Sequence, residues 1–89
     1  MRPLLSIDIN YFAWVRERMG KGGESVVVPD SVATVRDLIG WLAARDAAGA
    51  AAFAEPERIR VALSGAMAKL DDALSGFDDV SLFPPVTGG

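Results

Sequence analysis

The sequence predicts an α+β roll in which one principal helix packs across a mixed sheet. Segments that alternate between apolar and polar residues occur at the start, in the middle and near the end of the chain, and such alternation is typical of half-buried strands. One apolar stripe with helical spacing lies between them. The length of 89 residues suits a single hydrophobic core, so we expect this architecture to form one domain.

The first part of the chain is predicted to fold as a strand, a short helix and a second strand. Apolar and polar residues alternate over residues 4–11, which indicates a half-buried strand. Residues 13–19 form a short amphipathic turn or helix that glycines close. Residues 24–28 are rich in β-branched side chains and stop at Pro29, which cannot donate a hydrogen bond to a sheet. We expect these two strands to pair.

The principal helix is predicted over residues 35–45. Thr34 and Asp37 have the spacing of a capping-box variant at its start. The apolar residues that follow with helical spacing are Val35, Leu38, Ile39 and Leu42. Gly40 inside this helix costs about 1 kcal/mol relative to alanine. We therefore expect Gly40 to lie where the helix crosses the sheet closely.

The remaining elements are predicted to be mainly strands. Residues 47–57 keep a helical composition that a glycine and a proline interrupt, which favours a short extra helical turn or an ordered loop, with Phe53 as its anchor. Alternation over residues 59–63 predicts a third strand, and a Ser-Gly turn follows that favours a hairpin with residues 66–70. Residues 80–83 alternate again and predict the final strand.

The residue types that are missing from the chain exclude most enzyme chemistries. There is no cysteine and no histidine, which excludes disulfides, thiol nucleophiles, nearly all zinc sites and the usual acid/base group near neutral pH. The acidic pairs at residues 71–72 and 78–79 lack the glycine and glutamate spacing of a calcium loop. We expect no metal, no cofactor bound by this chain and no independent active site.

The charge pattern and the apolar segments limit the partners. The formal net charge is -3 and both signs are interspersed, so no basic patch suggests nucleic acid as a partner. The apolar runs are far shorter than the roughly 20 residues that span a bilayer, so no membrane partner is expected. The N-terminal residues lack a sustained hydrophobic stretch with a cleavage site, which predicts a cytoplasmic location.

The residues after the final strand are the most informative segment. They are Pro84, Pro85, Val86, Thr87, Gly88 and Gly89. Two prolines exclude helix and favour an extended arm, so we assign residues 1–83 to the domain and residues 84–89 to a tail. Two glycines lack Cβ, so a terminal carboxylate could enter a narrow slot. If a partner adenylates that carboxylate, a sulfur nucleophile can attack the mixed anhydride and leave a thiocarboxylate.

These residues resemble those of the small subunit of molybdopterin synthase, a β-grasp sulfur carrier of the ubiquitin-like class. Residues 83–89 are the most specific part of the resemblance, which covers nearly the whole chain. Tyr11-Phe12-Ala13, the principal helix and the hairpin occur in the expected order. The helical segment after the first strand departs from ubiquitin itself, which has a tight hairpin at that place.

The resemblance implies a cycle that other proteins drive. An adenylating, E1-like enzyme uses ATP to activate the Gly89 carboxylate, and a sulfur donor protein converts it to a thiocarboxylate. The large synthase subunit then receives the loaded tail in a heterotetramer, and sulfur passes to cyclic pyranopterin monophosphate. By resemblance, Gly89 and Gly88 form the reactive terminus. The residues that would contact the partner are Phe83, Pro84, Pro85, Val86 and Thr87.

Three other functions stay open from the sequence. Sulfur carriers for cysteine or thiamine biosynthesis use the same activation of the tail. A ubiquitin-like modifier would form isopeptide bonds through Gly89. A pure interaction module would leave the tail unreacted.

Several single residues also carry predictions. We expect Trp14 and Trp41 to complete the core, because large aromatic side chains bury a large area. Phe83 should face away from the apolar side chains of its own strand and serve as an exposed anchor for a partner. Arg58 and Arg60 should point outward from the third strand as solvated arginines.

Overall fold

The computed structural model describes residues 5–85, which form a five-stranded sheet with helices against one face. The longest elements are β1 and α1, with seven residues each, and α2, with eleven. The bounds are β1 Leu5–Tyr11, α1 Ala13–Met19, β2 Gly23–Val28, α2 Val35–Arg45, α3 Ala47–Ala52, a 3-10 turn at Pro56–Arg58, β3 Arg60–Leu63, β4 Ala66–Ala68 and β5 Asp79–Phe83.

The sheet is mixed, as predicted. Its strand order is β2-β1-β5-β3-β4, in which β1 and β5 are parallel and the other neighbours are antiparallel. The predicted pairing of the first two strands and the predicted hairpin of β3 with β4 are confirmed. β3 begins at Arg60 and not at Ile59, because the backbone N–H of Ile59 donates to the carbonyl of Pro56 and belongs to the 3-10 turn.

One hydrophobic cluster joins the inner face of the sheet to α2. The four predicted stripe residues of α2 are buried together with the alternating inner side chains of all the strands except β4. Burial of one such aliphatic side chain contributes about 1.5–3 kcal/mol, so this cluster dominates the stability of the fold. Phe53 is also buried, as predicted, and its ring lies 6.3 Å from that of Tyr11.

The two tryptophans lie at the margin of the core and not inside it. Trp14 and Trp41 are half-buried and pack against the cluster from outside, so the prediction that they complete the core is wrong. Each ring has one face against an arginine: the guanidinium carbon of Arg18 lies 4.3 Å from the ring centroid of Trp14, and that of Arg45 lies 5.5 Å from that of Trp41. A cation over the face of an aromatic ring is attracted to it, so these arginines cover the outer faces of the two rings.

Hydrogen bonds from side chains fix where α2 begins and where α3 follows it. Thr34 and Asp37 form the predicted capping box, with the Asp37 N–H donating to Thr34 Oγ1 over 3.1 Å. At the other end, Asp46 terminates α2 and caps α3, because its Oδ1 accepts from the Gly49 N–H over 2.7 Å. One aspartate therefore sets the turn between the two helices.

The close backbone approach occurs at Gly49 and not at Gly40. A Cβ at Gly49 would lie 1.8 Å from the carbonyl oxygen of Leu42, whereas a Cβ at Gly40 would meet nothing within 4 Å. Gly40 is exposed on the outer side of α2, since the buried stripe occupies the other side. The prediction that Gly40 faces the sheet is therefore wrong, and the glycine that packing requires is the one at the α2–α3 crossing.

We expect Gly49→Ala to destabilise the protein and Gly40→Ala to stabilise it. The first change forces α3 away from α2 and should lower the free energy of unfolding by about 2 kcal/mol. The second adds an alanine to an exposed helix position and should raise it by about 0.5–1 kcal/mol. Urea denaturation of both variants measures the two shifts. Equal effects of the two substitutions would contradict the assigned crossing.

An ion-pair network holds the end of β1 to β2 and to the end of α2. Arg45 donates to both carboxylate oxygens of Glu24, over 2.9 Å and 2.8 Å, and the Tyr11 hydroxyl donates to the same carboxylate over 2.7 Å. The hydrogen bond from Arg45 is the main reason why the pKa of Glu24 falls to about 2, although burial opposes that shift. Burial and the bond to Glu24 raise the pKa of Tyr11, so its hydroxyl stays protonated as a donor.

This network should make the free energy of unfolding depend on pH in the acidic range. The folded protein keeps Glu24 ionised down to about pH 2, whereas its ordinary pKa is 4.5. The stabilisation is therefore complete above pH 4.5 and is lost as the pH falls toward 2, by on the order of 2 kcal/mol. Glu24→Gln should remove that part of the acid dependence in urea titrations between pH 7 and pH 2.5. As a control, Glu17→Gln at an exposed helix position should leave the acid dependence as in the wild type.

Candidate functional site

The chain leaves the sheet from its centre. β5 lies between β1 and β3, with Leu82 in register with Tyr11 on one side and Phe83 in register with Arg60 on the other. The Phe12 N–H also donates to the carbonyl of Leu82 over 3.2 Å. Because both neighbouring strands bond to the end of β5, the exit point at residue 83 is held from two sides.

Two prolines follow the exit point directly. Pro84 and Pro85 are half-buried and belong to no strand or helix. Proline has no N–H to donate, so strand pairing ends where they begin. Val86, Thr87, Gly88 and Gly89 lie outside the described residues, and the roles predicted for them stay predictions.

An apolar stripe crosses the outer face of the sheet beside the exit. Phe83 points away from the buried Val80 and Leu82, as predicted, but it is half-buried and not fully exposed. Ala62 and Met67 pair across the β3–β4 hairpin on the same face, and Met67 is 67% exposed. We call Ala62, Met67 and Phe83 the outer apolar stripe. On this face Arg60 pairs with Phe83 and Ser81 pairs with Ala62, so polar side chains lie among the members of the stripe. Met67 is its exposed member, and an exposed large apolar side chain near a half-buried aromatic ring is a candidate contact for a partner.

The other half of the outer face is more polar. β1 contributes Asp8 and Asn10 there, and the Asn10 side-chain amide donates to Asp79 over 3.0 Å. Val27 on β2 is the exposed apolar exception in this half. We call the β1–β2 half of the uncovered face the polar half. The β3–β5 half carries the outer apolar stripe together with Arg60, Asp79 and Ser81.

The sequence pointed to Phe83 but missed the rest of the stripe. Residues 62 and 67 flank the predicted Ser-Gly turn symmetrically, so their shared face could have been deduced from hairpin parity. Of the two arginines predicted on the third strand, only Arg60 lies there and points outward. Arg58 belongs to the 3-10 turn, and its guanidinium lies 3.8 Å from the Glu55 carboxylate.

The described residues present a docking surface around a chain exit. Tyr11 beside the exit has a raised pKa because of burial, so it is neutral near pH 7 and cannot act as a base there. In residues 5–85 no cluster of acidic side chains has the geometry to hold a metal ion. The helices within the same range are too short or too polar to cross a membrane. A cytoplasmic location stays a prediction.

Comparison with known proteins relates this geometry to a family. The chain matches the model of the ThiS family over residues 9–89. A curated relative, the molybdopterin synthase sulfur carrier subunit of Haemophilus influenzae, is 30% identical over 83 residues, which cover 93% of this chain and 99% of the relative.

Solved structures show the same fold. SAMP1 from Haloferax volcanii is 30% identical with a TM-score of 0.68, and the likeness covers 94% of this chain and 99% of that one. The HVO 2177 protein from Haloferax volcanii is 28% identical with a TM-score of 0.75, over 97% of this chain and 88% of that one. The fold is thus the predicted ubiquitin-like β-grasp fold. Since the family match runs from β1 through the central strand to the glycine pair, the chain belongs to the ThiS family.

Proposed function

We propose that this chain is the sulfur carrier of molybdenum cofactor biosynthesis, the small subunit of molybdopterin synthase. The observation that carries the proposal is the 30% identity to a molybdopterin synthase sulfur carrier subunit over 99% of that relative. In this proposal, residues 84–89 act as a tail that delivers sulfur, and the folded domain presents that tail to its partners.

The proposed chemistry takes place on the Gly89 carboxylate. A carboxylate oxygen attacks the α-phosphorus of ATP on the activating enzyme, which forms an acyl adenylate and releases pyrophosphate. A sulfur nucleophile from the donor protein then attacks the carbonyl carbon, and AMP leaves. When that nucleophile is a persulfide, the product is an acyl disulfide. A second thiol of the donor protein then attacks the donor's inner sulfur, which breaks the S–S bond and leaves a thiocarboxylate on Gly89 and a disulfide on the donor. ATP is bound by the activating enzyme and not by this chain. The absence of cysteine in the chain avoids an internal thiol that could intercept the activated carbonyl.

The fold supports this role by giving the tail a fixed base. The end of β5 is bonded to β1 and to β3, so residue 84 starts from a defined position and direction. Two prolines at the start of the tail reduce the conformational entropy that is lost when it enters a partner. Pre-organisation of this kind favours insertion of an arm into a narrow pocket.

The outer apolar stripe supports a docked complex with the large synthase subunit. Phe83 belongs both to the stripe and to the base of the tail, and Met67 lies on the same face two strands away, so a protein that encloses the tail is close enough to contact Met67 as well. Aromatic and methionine side chains are enriched at protein interfaces. We therefore infer that the stripe binds the large subunit. In the resulting heterotetramer, the large subunits supply the pocket where cyclic pyranopterin monophosphate receives sulfur.

A ubiquitin-like modifier is the second candidate function. The observation that favours it is the likeness to SAMP1, a small archaeal modifier protein, with 30% identity over 94% of this chain. The activated Gly89 carbonyl would then be attacked by a lysine amine and not by sulfur. Carriers for thiamine or cysteine biosynthesis form a further alternative, which co-purification of a large synthase subunit would exclude.

Intact-mass spectrometry of the protein from cells tests the proposed chemistry. We expect the wild type to show the mass gain of one oxygen-to-sulfur exchange at its C-terminus, and a variant without Gly89 to lack it and to have no synthase activity. Gly40→Ala, which leaves the tail unchanged, serves as the control and should be loaded like the wild type. Activity that persists without Gly89 would refute the proposal, and lysine-linked adducts that depend on Gly89 would favour the modifier.

Binding to the large subunit tests the assigned stripe. Met67→Asp should weaken the complex by about tenfold or more, because it places a charge in the apolar contact. Val27→Asp is the matched control on the same face, since Val27 is also exposed but lies in the polar half. Isothermal titration with each variant measures the loss, and thermal melts check the fold. Equal weakening by both substitutions would contradict the assignment of the stripe.

A further inference from the structure

A groove lies at the edge of the sheet, where β3 and the end of β4 meet the start of α2. Its volume is about 380 Å³, near the lower end of the range of about 300–1,000 Å³ that ligand clefts have. We call it the β3–β4 groove. Its floor is apolar and consists of Ile59, Val61, Ala68 and Leu70. Its rim is charged and consists of Arg36, Glu57, Arg60, Lys69 and Asp71.

The charges of the rim are not balanced. Arg36 bridges the two sides of the groove, because its guanidinium pairs with Glu57 and also donates to Asp71 over 2.8 Å. Both rim carboxylates are therefore occupied by one arginine. The ammonium of Lys69 is exposed and forms no ion pair among residues 5–85, although the Lys69 backbone N–H donates to Asp72 over 2.9 Å. Within the same residues, the side chain of Arg60 hydrogen-bonds only to the backbone carbonyls of Glu57 and Ile59.

Two cations of the rim are thus available to an acidic ligand. The bonds of Arg60 to carbonyls, at 3.1 Å and 3.4 Å, are weaker than the bond that it would make with a carboxylate. The ion pairs of Arg36 are largely exposed, and exposed pairs contribute little to stability. Arg36 could therefore also turn to a ligand at small cost. An apolar floor below free cations is complementary to a peptide that carries an aliphatic and an acidic side chain.

The groove lies close to the end of β5, where the tail begins. Arg60 is in register with Phe83, and paired strands are about 5 Å apart, so one edge of the groove is one strand away from the exit of the tail. β4 stops at Ala68, which pairs with Val61, so β3 has no strand neighbour at Arg60 on that side. An extended segment can lie beside such an open edge.

We propose that the β3–β4 groove binds an extended segment of the protein that receives the tail, with an aliphatic side chain on the floor and a carboxylate against Arg60 and Lys69. This inference rests on the proposed function, because it takes the large synthase subunit as that protein. The groove and the outer apolar stripe then form two contacts on opposite faces of the β3–β4 hairpin, since Val61 and Ala68 line the groove and Ala62 and Met67 belong to the stripe. Together they would fix the direction in which the tail enters the partner.

Charge reversal in the full-length chain tests the groove. The double variant Arg60→Glu, Lys69→Glu should bind the large subunit about tenfold more weakly or worse than the wild type, and the loss should shrink at high salt. The matched control is Arg18→Glu, Arg58→Glu, which changes the same charge at two exposed arginines outside the groove and should cost less than about threefold. Titration calorimetry at low and high salt gives the affinities, and thermal melts show that each variant is folded.

Amide chemical shifts locate the contact without any substitution. On addition of the large subunit to the labelled wild type, we expect the amides of Ile59, Ala68 and Leu70 to shift together with that of Phe83. Equal affinity of the groove variant and the wild type, or shifts at Phe83 without shifts in the groove, would overturn this inference alone. A wild-type chain that acquires no thiocarboxylate and binds no large subunit would overturn the proposed function and the groove assignment with it.

Discussion

The burial of one set of apolar side chains between α2 and the inner face of the sheet is the interaction on which the rest of the structure depends. Among the described side chains of residues 6–85, the buried core is apolar except for the hydroxyl of Tyr11, which donates to Glu24 at the edge of the core. Specificity comes from its margin, where Asp46, Glu24 and Arg45 fix the ends of helices and strands. Apolar burial makes the domain compact, and the polar margin determines how its elements join.

The candidate site follows from that arrangement. Since the inner face is filled, the outer face is free for partners, and the parity of each strand decides which side chains it presents. β5 brings Phe83 to this face and continues into the two prolines. The outer apolar stripe, the exit of the tail and the β3–β4 groove therefore lie on neighbouring strands, and one partner could contact all three at once.

Much of the fold could be predicted from the sequence because its signals are local. The alternation of β1 and β5, the stripe of α2 and the Thr34–Asp37 capping box depend on residues that are near in sequence. The contacts that the sequence did not reveal join distant segments. Gly49 against Leu42, Arg45 with Glu24 and the cations around the groove each depend on how two elements cross. No periodicity encodes such crossings, and the sequence therefore predicts the close approach at Gly40 although it occurs at Gly49.

The position of β5 has a consequence for how this protein is made. β5 is synthesised after every other strand, yet it fills the gap between β1 and β3. A nascent chain that stops before residue 79 would leave both of these strands with open edges, and such edges invite aggregation and proteolysis. Synthesis must therefore pass residue 83 before the sheet can close. We expect ribosomal products that end before residue 79 to stay unfolded, so they would not compete, as folded domains without a tail, for the partners of the full-length protein.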